Sequence, residues 1–150
     1  MNIALLTAAG HGTRMHQDIP KQFIHINNKP IIIYTLEKFE YHPSINSIIV
    51  VTLPSWIEVL KAYAKQFNIT KISAILNGGE TNQDSIQNGL KYIVENYNNE
   101  DIVTIHDGNR CAVTHEIISN NLAVCKEKGN AITAIPCTEV VFKKLDFIEN

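Results

Sequence analysis

The chain has no run of 18 or more apolar residues, so nothing in it reads as a membrane-spanning helix. It has no basic cluster either. Thirteen Lys and Arg stand against 15 Asp and Glu, for a formal charge of −2, which leaves no electrostatic footprint for nucleic acid. Cysteine is scarce: Cys111, Cys125 and Cys137 form no Cys-x-x-Cys pair. An odd count without that spacing argues against a disulfide framework and suits a reducing cytoplasm, where each is expected as a small buried residue. The opening Met1-Asn2-Ile3-Ala4-Leu5-Leu6-Thr7 has no charged segment ahead of its apolar stretch, so it is not read as a signal peptide. His16, His25, His42 and His115 share no metal-ligand spacing. Repeats and low-complexity tracts are absent.

What is present is alternation. The 150 residues are 45% apolar, enough for one domain hiding roughly 68–70% of its unfolded surface. Apolar runs without polar alternation lie near residues 2–7, 47–53, 72–76, 101–106 and 131–135. Each reads as a strand buried on both faces. Between them lie segments of helical period. Pro30–Phe39 follows a turn at Asn27-Asn28-Lys29. Pro54-Ser55 opens a stripe of Trp56, Val59, Leu60, Tyr63 and Phe67, and a second stripe joins Ile86, Leu90, Ile93, Val94 and Tyr97. Thr114 is placed to cap a helix carrying Ile118, Leu122 and Cys125, which Gly129 ends. Strand–helix alternation of this kind predicts an α/β fold: a doubly wound, mainly parallel sheet with right-handed crossovers.

Ligands of open α/β sheets gather outside the carboxyl ends of the strands. Three unusual loops fall there: Ala8-Ala9-Gly10-His11-Gly12-Thr13-Arg14-Met15, leading to Pro20-Lys21-Gln22; Gly78-Gly79-Glu80-Thr81-Asn82-Gln83-Asp84-Ser85; and His106-Asp107-Gly108-Asn109-Arg110. The first has Gly10-x-Gly12 but methionine at 15, so the dinucleotide fingerprint lacks its third glycine, and no GxxxxGK[ST] occurs. A small-residue loop with Arg14 and Lys21 nearby still suits phosphate oxygens. His106, ending a strand, is expected to be a structural histidine.

These residues resemble a known family. AAGHGTRM, four residues, PKQF, and then NKPIIIYTLEKF is similar to the opening of the cytidylyltransferases that act on methylerythritol phosphate and ribitol phosphate. GGETNQDSIQNGL, VTIHDGNRCAV and AITAIPCTEV resemble three later segments of that family. The resemblance implies a Rossmann-like nucleotidyltransferase fold and transfer of CMP from CTP to a polyol phosphate. That reaction yields a CDP-polyol and pyrophosphate, with Mg²⁺ as the divalent cation. By the same resemblance Arg14 and Lys21 would be catalytic, stabilising charge on the α-phosphoryl group. Ala8, Ala9, Gly10 and Gly12 would close around the triphosphate, while Gly78, Gly79, Asn82 and Ser85 would frame cytosine and ribose. Asp107 would lie by the ribose and the metal, with Arg110 bracing its loop or pairing with Asp107. PKQF and the GGExxQDS-like loop lean towards the branch that serves isoprenoid biosynthesis.

Departures are equally plain. Asn82 replaces the arginine of the family's GGxxRxxS, Cys111 replaces the proline after Arg110, and Glu139-Val140 stand where aspartate and threonine are usual. Asparagine still donates hydrogen bonds, so a reshaped pocket is expected there. The chain is shorter than family members. The resemblance reads 137–150 as the start of a dimerisation arm, and the apolar Val140, Val141, Phe142, Leu145 and Phe147 fit a homodimer through 138–150. The alternatives are a truncated, CTP-binding module with impaired turnover, and a dinucleotide- or sugar-nucleotide-binding domain.

Overall fold

The computed structural model describes residues 1–10 and 19–136. Its centre is a four-stranded parallel sheet of β1 (Asn2–Ala8), β4 (Ser47–Thr52), β5 (Ile72–Asn77) and β6 (Ile102–Asp107), in the order β5-β4-β1-β6. Four of the five strands expected from the apolar runs are therefore there. The fifth is not. Among the described residues, 131–136 have no strand pairing, Ile132 is 89% and Ile135 87% exposed, and Asn121 Nδ2 donates to Thr133 Oγ1 at 2.6 Å. An apolar run becomes a strand only when a ladder partner and a covered face are available, and this one has neither among the described residues.

Helices flank both faces of the sheet. α1 (Ile31–Glu40), α2 (Ile57–Gln66, entered through a 3-10 turn at Pro54–Trp56) and α4 (His115–Lys128) cover one face, where Ala4, Leu6, Ile48 and Val50 meet Leu36, Phe39, Leu60, Ile118 and Leu122. α3 (Asn82–Asn96) covers the other, where Ile3, Leu5, Ile49 and Val51 meet Ile93. β4 is buried at every residue, as a central parallel strand with two covered faces must be. α3 sits close because position 89 is glycine: a Cβ there would come within 2.4 Å of a Leu5 methyl.

The helical stripes are corrected in detail. Ala64 is in the core and Val59 is exposed, and Val94 is 71% exposed while Ile93 is buried. Cys111 and Cys125 are free and half-buried, not the fully buried residues expected. Thr114 caps α4 as read, accepting a hydrogen bond from Ile117 N–H, and Gly129 ends it in the left-handed conformation. A short hairpin of β2 (His25–Ile26) and β3 (Lys29–Pro30) is additional. Its turn residues Asn27 and Asn28 have φ of 50° and 62°, the pair of left-handed residues that a type I′ two-residue hairpin turn demands.

His42 joins α1 to α4. It is 1% exposed, its Nδ1 accepts from Ser44 N–H, and its Nε2 lies 3.0 Å from Ser119 Oγ and 3.3 Å from the His115 carbonyl. Burial pushes the imidazole below the usual histidine range; the His115 and Lys71 charges act the same way, and the bond to the His115 carbonyl opposes them. A folded-state pKa below the unfolded one means that the neutral ring stabilises the fold above about pH 6.5 and that this contribution is lost as pH falls. Denaturant unfolding of a His42→Gln variant should therefore show a shallower decline of stability between pH 7 and pH 5 than the parent chain. Parallel declines would contradict it.

Candidate functional site

The carboxyl ends of β1, β5 and β6 bring three loops together, and the backbone of Ala8–Gly10 is what they meet on. Ala8 ends β1, and its carbonyl oxygen accepts two side-chain hydrogen bonds: Gln22 Nε2 at 2.6 Å and Thr52 Oγ1 at 3.1 Å. The same Gln22 nitrogen donates to the Gly10 carbonyl at 3.1 Å. Gln22 lies in a 3-10 turn, Lys21–Phe23, closed by Phe23 N–H on the Pro20 carbonyl at 2.8 Å. Phe23 is buried and stacks on Trp56 with ring centroids 4.3 Å apart. Within this turn Lys21 is the exposed residue.

The loop after β5 is pressed against the first. Gly78 N–H donates to the Thr52 carbonyl at 2.8 Å, and a Cβ at position 78 would lie 2.3 Å from the Ala9 Cβ. Only glycine allows that approach. The loop is then shaped from within: Gly79 N–H donates to Ser85 Oγ at 3.1 Å, and that hydroxyl donates to the Thr81 carbonyl at 3.0 Å. Thr81 and Asp84 form a reciprocal capping box at the start of α3, which satisfies two orphan amides and fixes where the helix begins. Asn82 occupies the first turn, exposed. Ser85 is buried with its hydroxyl engaged in the loop.

The third loop leaves β6. Gly108 N–H extends the ladder to the Thr7 carbonyl at 2.8 Å, and its own carbonyl accepts from the buried Thr35 Oγ1 at 2.8 Å. Asp107 Oδ1 accepts from Thr7 Oγ1 at 3.3 Å, and Oδ2 from Arg110 Nε at 2.5 Å. Of the two readings for Arg110, the structure has the ion pair with Asp107. Its guanidinium remains largely exposed. His106 Nε2 lies 3.0 Å from the Arg110 carbonyl and its ring tilts against Phe39.

The described residues thus gather Ala8, Ala9, Gly10, Lys21, Gly78, Gly79, Asn82, Ser85, Asp107 and Arg110 at one edge. Gly12 and Arg14 lie outside them, as do residues 137–150 and the arm expected there. Gln22, Thr52, Thr7 and Thr35 carry no assignment from the sequence, yet they hold the loops. Gln22 was visible inside PKQF; the threonines had no local signal, because their partners lie more than 40 residues away. No group of three His, Cys, Asp or Glu that could hold a metal occurs among the described residues. Asp107 offers a carboxylate at this edge, beside the loop of Glu80 and the capping Asp84. That fits Mg²⁺, which is usually held by one or two carboxylates together with substrate phosphates.

The family model for 2-C-methyl-D-erythritol 4-phosphate cytidylyltransferase (IspD) matches residues 2–146. A ribitol-5-phosphate cytidylyltransferase of Vibrio parahaemolyticus is 46% identical over 93% of this chain and 59% of its own length. One of Lacticaseibacillus paracasei is 41% identical over 96% and 62%. A 2-C-methyl-D-erythritol 4-phosphate cytidylyltransferase of Clostridium botulinum is 42% identical over 89% and 57%. Among solved structures, a 4-diphosphocytidyl-2C-methyl-D-erythritol synthase superposes with a TM-score of 0.71 at 28% identity, over 97% of this chain and 64% of its own. The Francisella tularensis cytidylyltransferase does so at 0.65 and 32%, over 85% and 52%. The chain spans 57–62% of the length of these curated relatives. With the loop order and the parallel sheet already in place, the match over nearly the whole chain is decisive: this protein belongs to the 2-C-methyl-D-erythritol 4-phosphate cytidylyltransferase family.

Proposed function

We propose that the chain binds CTP at the carboxyl edge of its sheet and transfers CMP to a polyol phosphate. The observation that carries this reading is the packing of the Gly78 loop onto Ala9, with the Asp107 loop on the other side of β1. It leaves a backbone-lined edge with Lys21 and Arg110 as its described cations. A phosphate oxygen of the acceptor attacks the α-phosphorus of CTP, the bond from that phosphorus to the β-phosphate bridging oxygen breaks, and pyrophosphate leaves. No protein nucleophile is needed. The protein's task is to align two anions and to neutralise the charge that builds between them.

In this reading Lys21 and Arg14 stabilise that charge, and Ala8–Gly10 with Gly12 receive the triphosphate. Gly78, Gly79, Asn82 and Ser85 frame the nucleoside, Ser85 by shaping the loop. Asp107, with the phosphates, would hold Mg²⁺, which would supply further charge neutralisation. Arg110 holds the Asp107 carboxylate in place and adds positive charge. The single domain spans 1–150, and a homodimer through 138–150 in the cytoplasm is part of the same proposal, supported by the apolar residues of that segment. Both ribitol 5-phosphate and 2-C-methyl-D-erythritol 4-phosphate are named in relatives of comparable identity. The acceptor is therefore stated as a polyol phosphate, and turnover with each of the two identifies it.

Two measurements test the proposal. Calorimetric titration in Mg²⁺ should show CTP binding tighter than ATP, GTP or UTP; equal affinities would leave a generic triphosphate site and remove the cytidylyl reading. Lys21→Ala should lower kcat by about 10²–10³-fold with KM for CTP little changed, since the charge it meets grows mainly in the transition state. A raised KM with kcat intact would make Lys21 a uniform binder instead.

A further inference from the structure

We propose that Gln22 is a positioning residue that turns the carbonyl oxygens of Ala8 and Gly10 away from the anion and couples that loop to Lys21. The inference rests on the triphosphate reading above. It starts from a conflict in the loop itself. A segment of Ala-Ala-Gly can present either its N–H groups or its C=O groups to a ligand, and only the N–H groups suit phosphate. Nothing in those three side chains decides between them.

Gln22 decides. Its amide nitrogen carries two protons and no lone pair for acceptance, and it faces two carbonyl oxygens, of Ala8 at 2.6 Å and Gly10 at 3.1 Å. Thr52 Oγ1 takes the second acceptor position on Ala8, so that oxygen is fully engaged from inside the protein. None of the described peptide bonds is cis. In a trans peptide the N–H points opposite to the C=O, so anchoring the Ala8 carbonyl inward aims the Ala9 N–H outward. Gln22 is 2% exposed, so the grip is shielded from water.

The grip also places the cation. Lys21 sits between Pro20, which is buried, and Gln22, in a turn whose other end is pinned by Phe23 on Trp56. Moving Gln22 moves Lys21. One carboxamide therefore sets both the direction of the loop amides and the start of the Lys21 side chain. Glutamate cannot replace it as a carboxylate, because it would place negative charge against two carbonyl oxygens. Methionine preserves its length without a donor.

The test has an arm without ligand and an arm with it. In the free protein the Gln22 side-chain amide protons should exchange slowly with solvent, and Gln22→Met should shift the backbone amide resonances of Ala9 and Lys21 together. Rapid exchange at free-amide rates, or shifts confined to position 22 and its neighbours in sequence, would overturn the proposal. With CTP and Mg²⁺, Gln22→Met should weaken binding about tenfold or more. The kcat loss produced by Lys21→Ala should shrink to within about twofold in the Gln22→Met background, as expected of residues acting as one unit. Independent, multiplying losses would overturn the coupling. Gln22→Glu should regain affinity relative to the parent as pH falls and its carboxyl becomes a donor; a general folding defect would not reverse in this way, and a constant ratio across pH would count against the proposal. If the parent chain binds no CTP, the functional reading fails while the exchange and resonance arm still judges the grip.

Discussion

The carbonyl oxygen of Ala8 is where this structure is tied together. Gln22 reaches it from the 3-10 turn after the first loop, and Thr52 reaches it from the end of β4. The neighbouring residue Ala9 receives the close approach of Gly78, whose own N–H is bonded to the Thr52 carbonyl. The ends of β1 and β4, the Lys21 turn and the β5 loop therefore form one connected set. A buried carbonyl left without partners costs of order 1–3 kcal/mol, so the arrangement is favoured by the fold as well as suited to the site. The β6 loop joins through Thr7, which touches Asp107 by its hydroxyl and Gly108 by its carbonyl.

Much of the fold could be read from periodicity. β1, β4, β5 and β6 are apolar runs, and their parallel pairing follows from the helices between them. The reading failed at 131–135, where the run is as apolar as the others but no neighbour among the described residues pairs with it. Pattern reports what a segment could bury; only the tertiary arrangement supplies the surface that buries it. The same limit explains Val59 and Val94, which fit a helical stripe by spacing and miss the core by a fraction of a turn. The β2–β3 hairpin was hidden by its brevity, since two-residue strands have no period to detect.

The site was legible in a different way. Spacing alone located three loops at strand ends, and the likeness of AAGHGTRM, PKQF and GGETNQDSIQNGL to a family gave them roles. The family match over residues 2–146 bears out that likeness. What neither route supplied was the internal wiring. Thr52, Thr7 and Thr35 act through contacts between segments distant in sequence, and a threonine in an apolar segment looks like any other β-branched residue. Ser85 carries the same lesson in reverse. Its hydroxyl serves Gly79 and Thr81 within its own loop, so what it does in this structure is set that loop's shape.

The central claim is that a nucleotide lies across the ends of β1, β5 and β6, and backbone resonance mapping tests it most directly. On adding CTP with Mg²⁺, the amides of Ala9, Gly10, Gly79, Ser85 and Gly108 should shift with a common dissociation constant. Those of Asn2, Asn46 and Ile102, at the opposite end of the sheet, should stay in place. Shifts centred instead on the exposed face of α3, around Leu90 and Val94, or spread over that opposite end, would contradict the account.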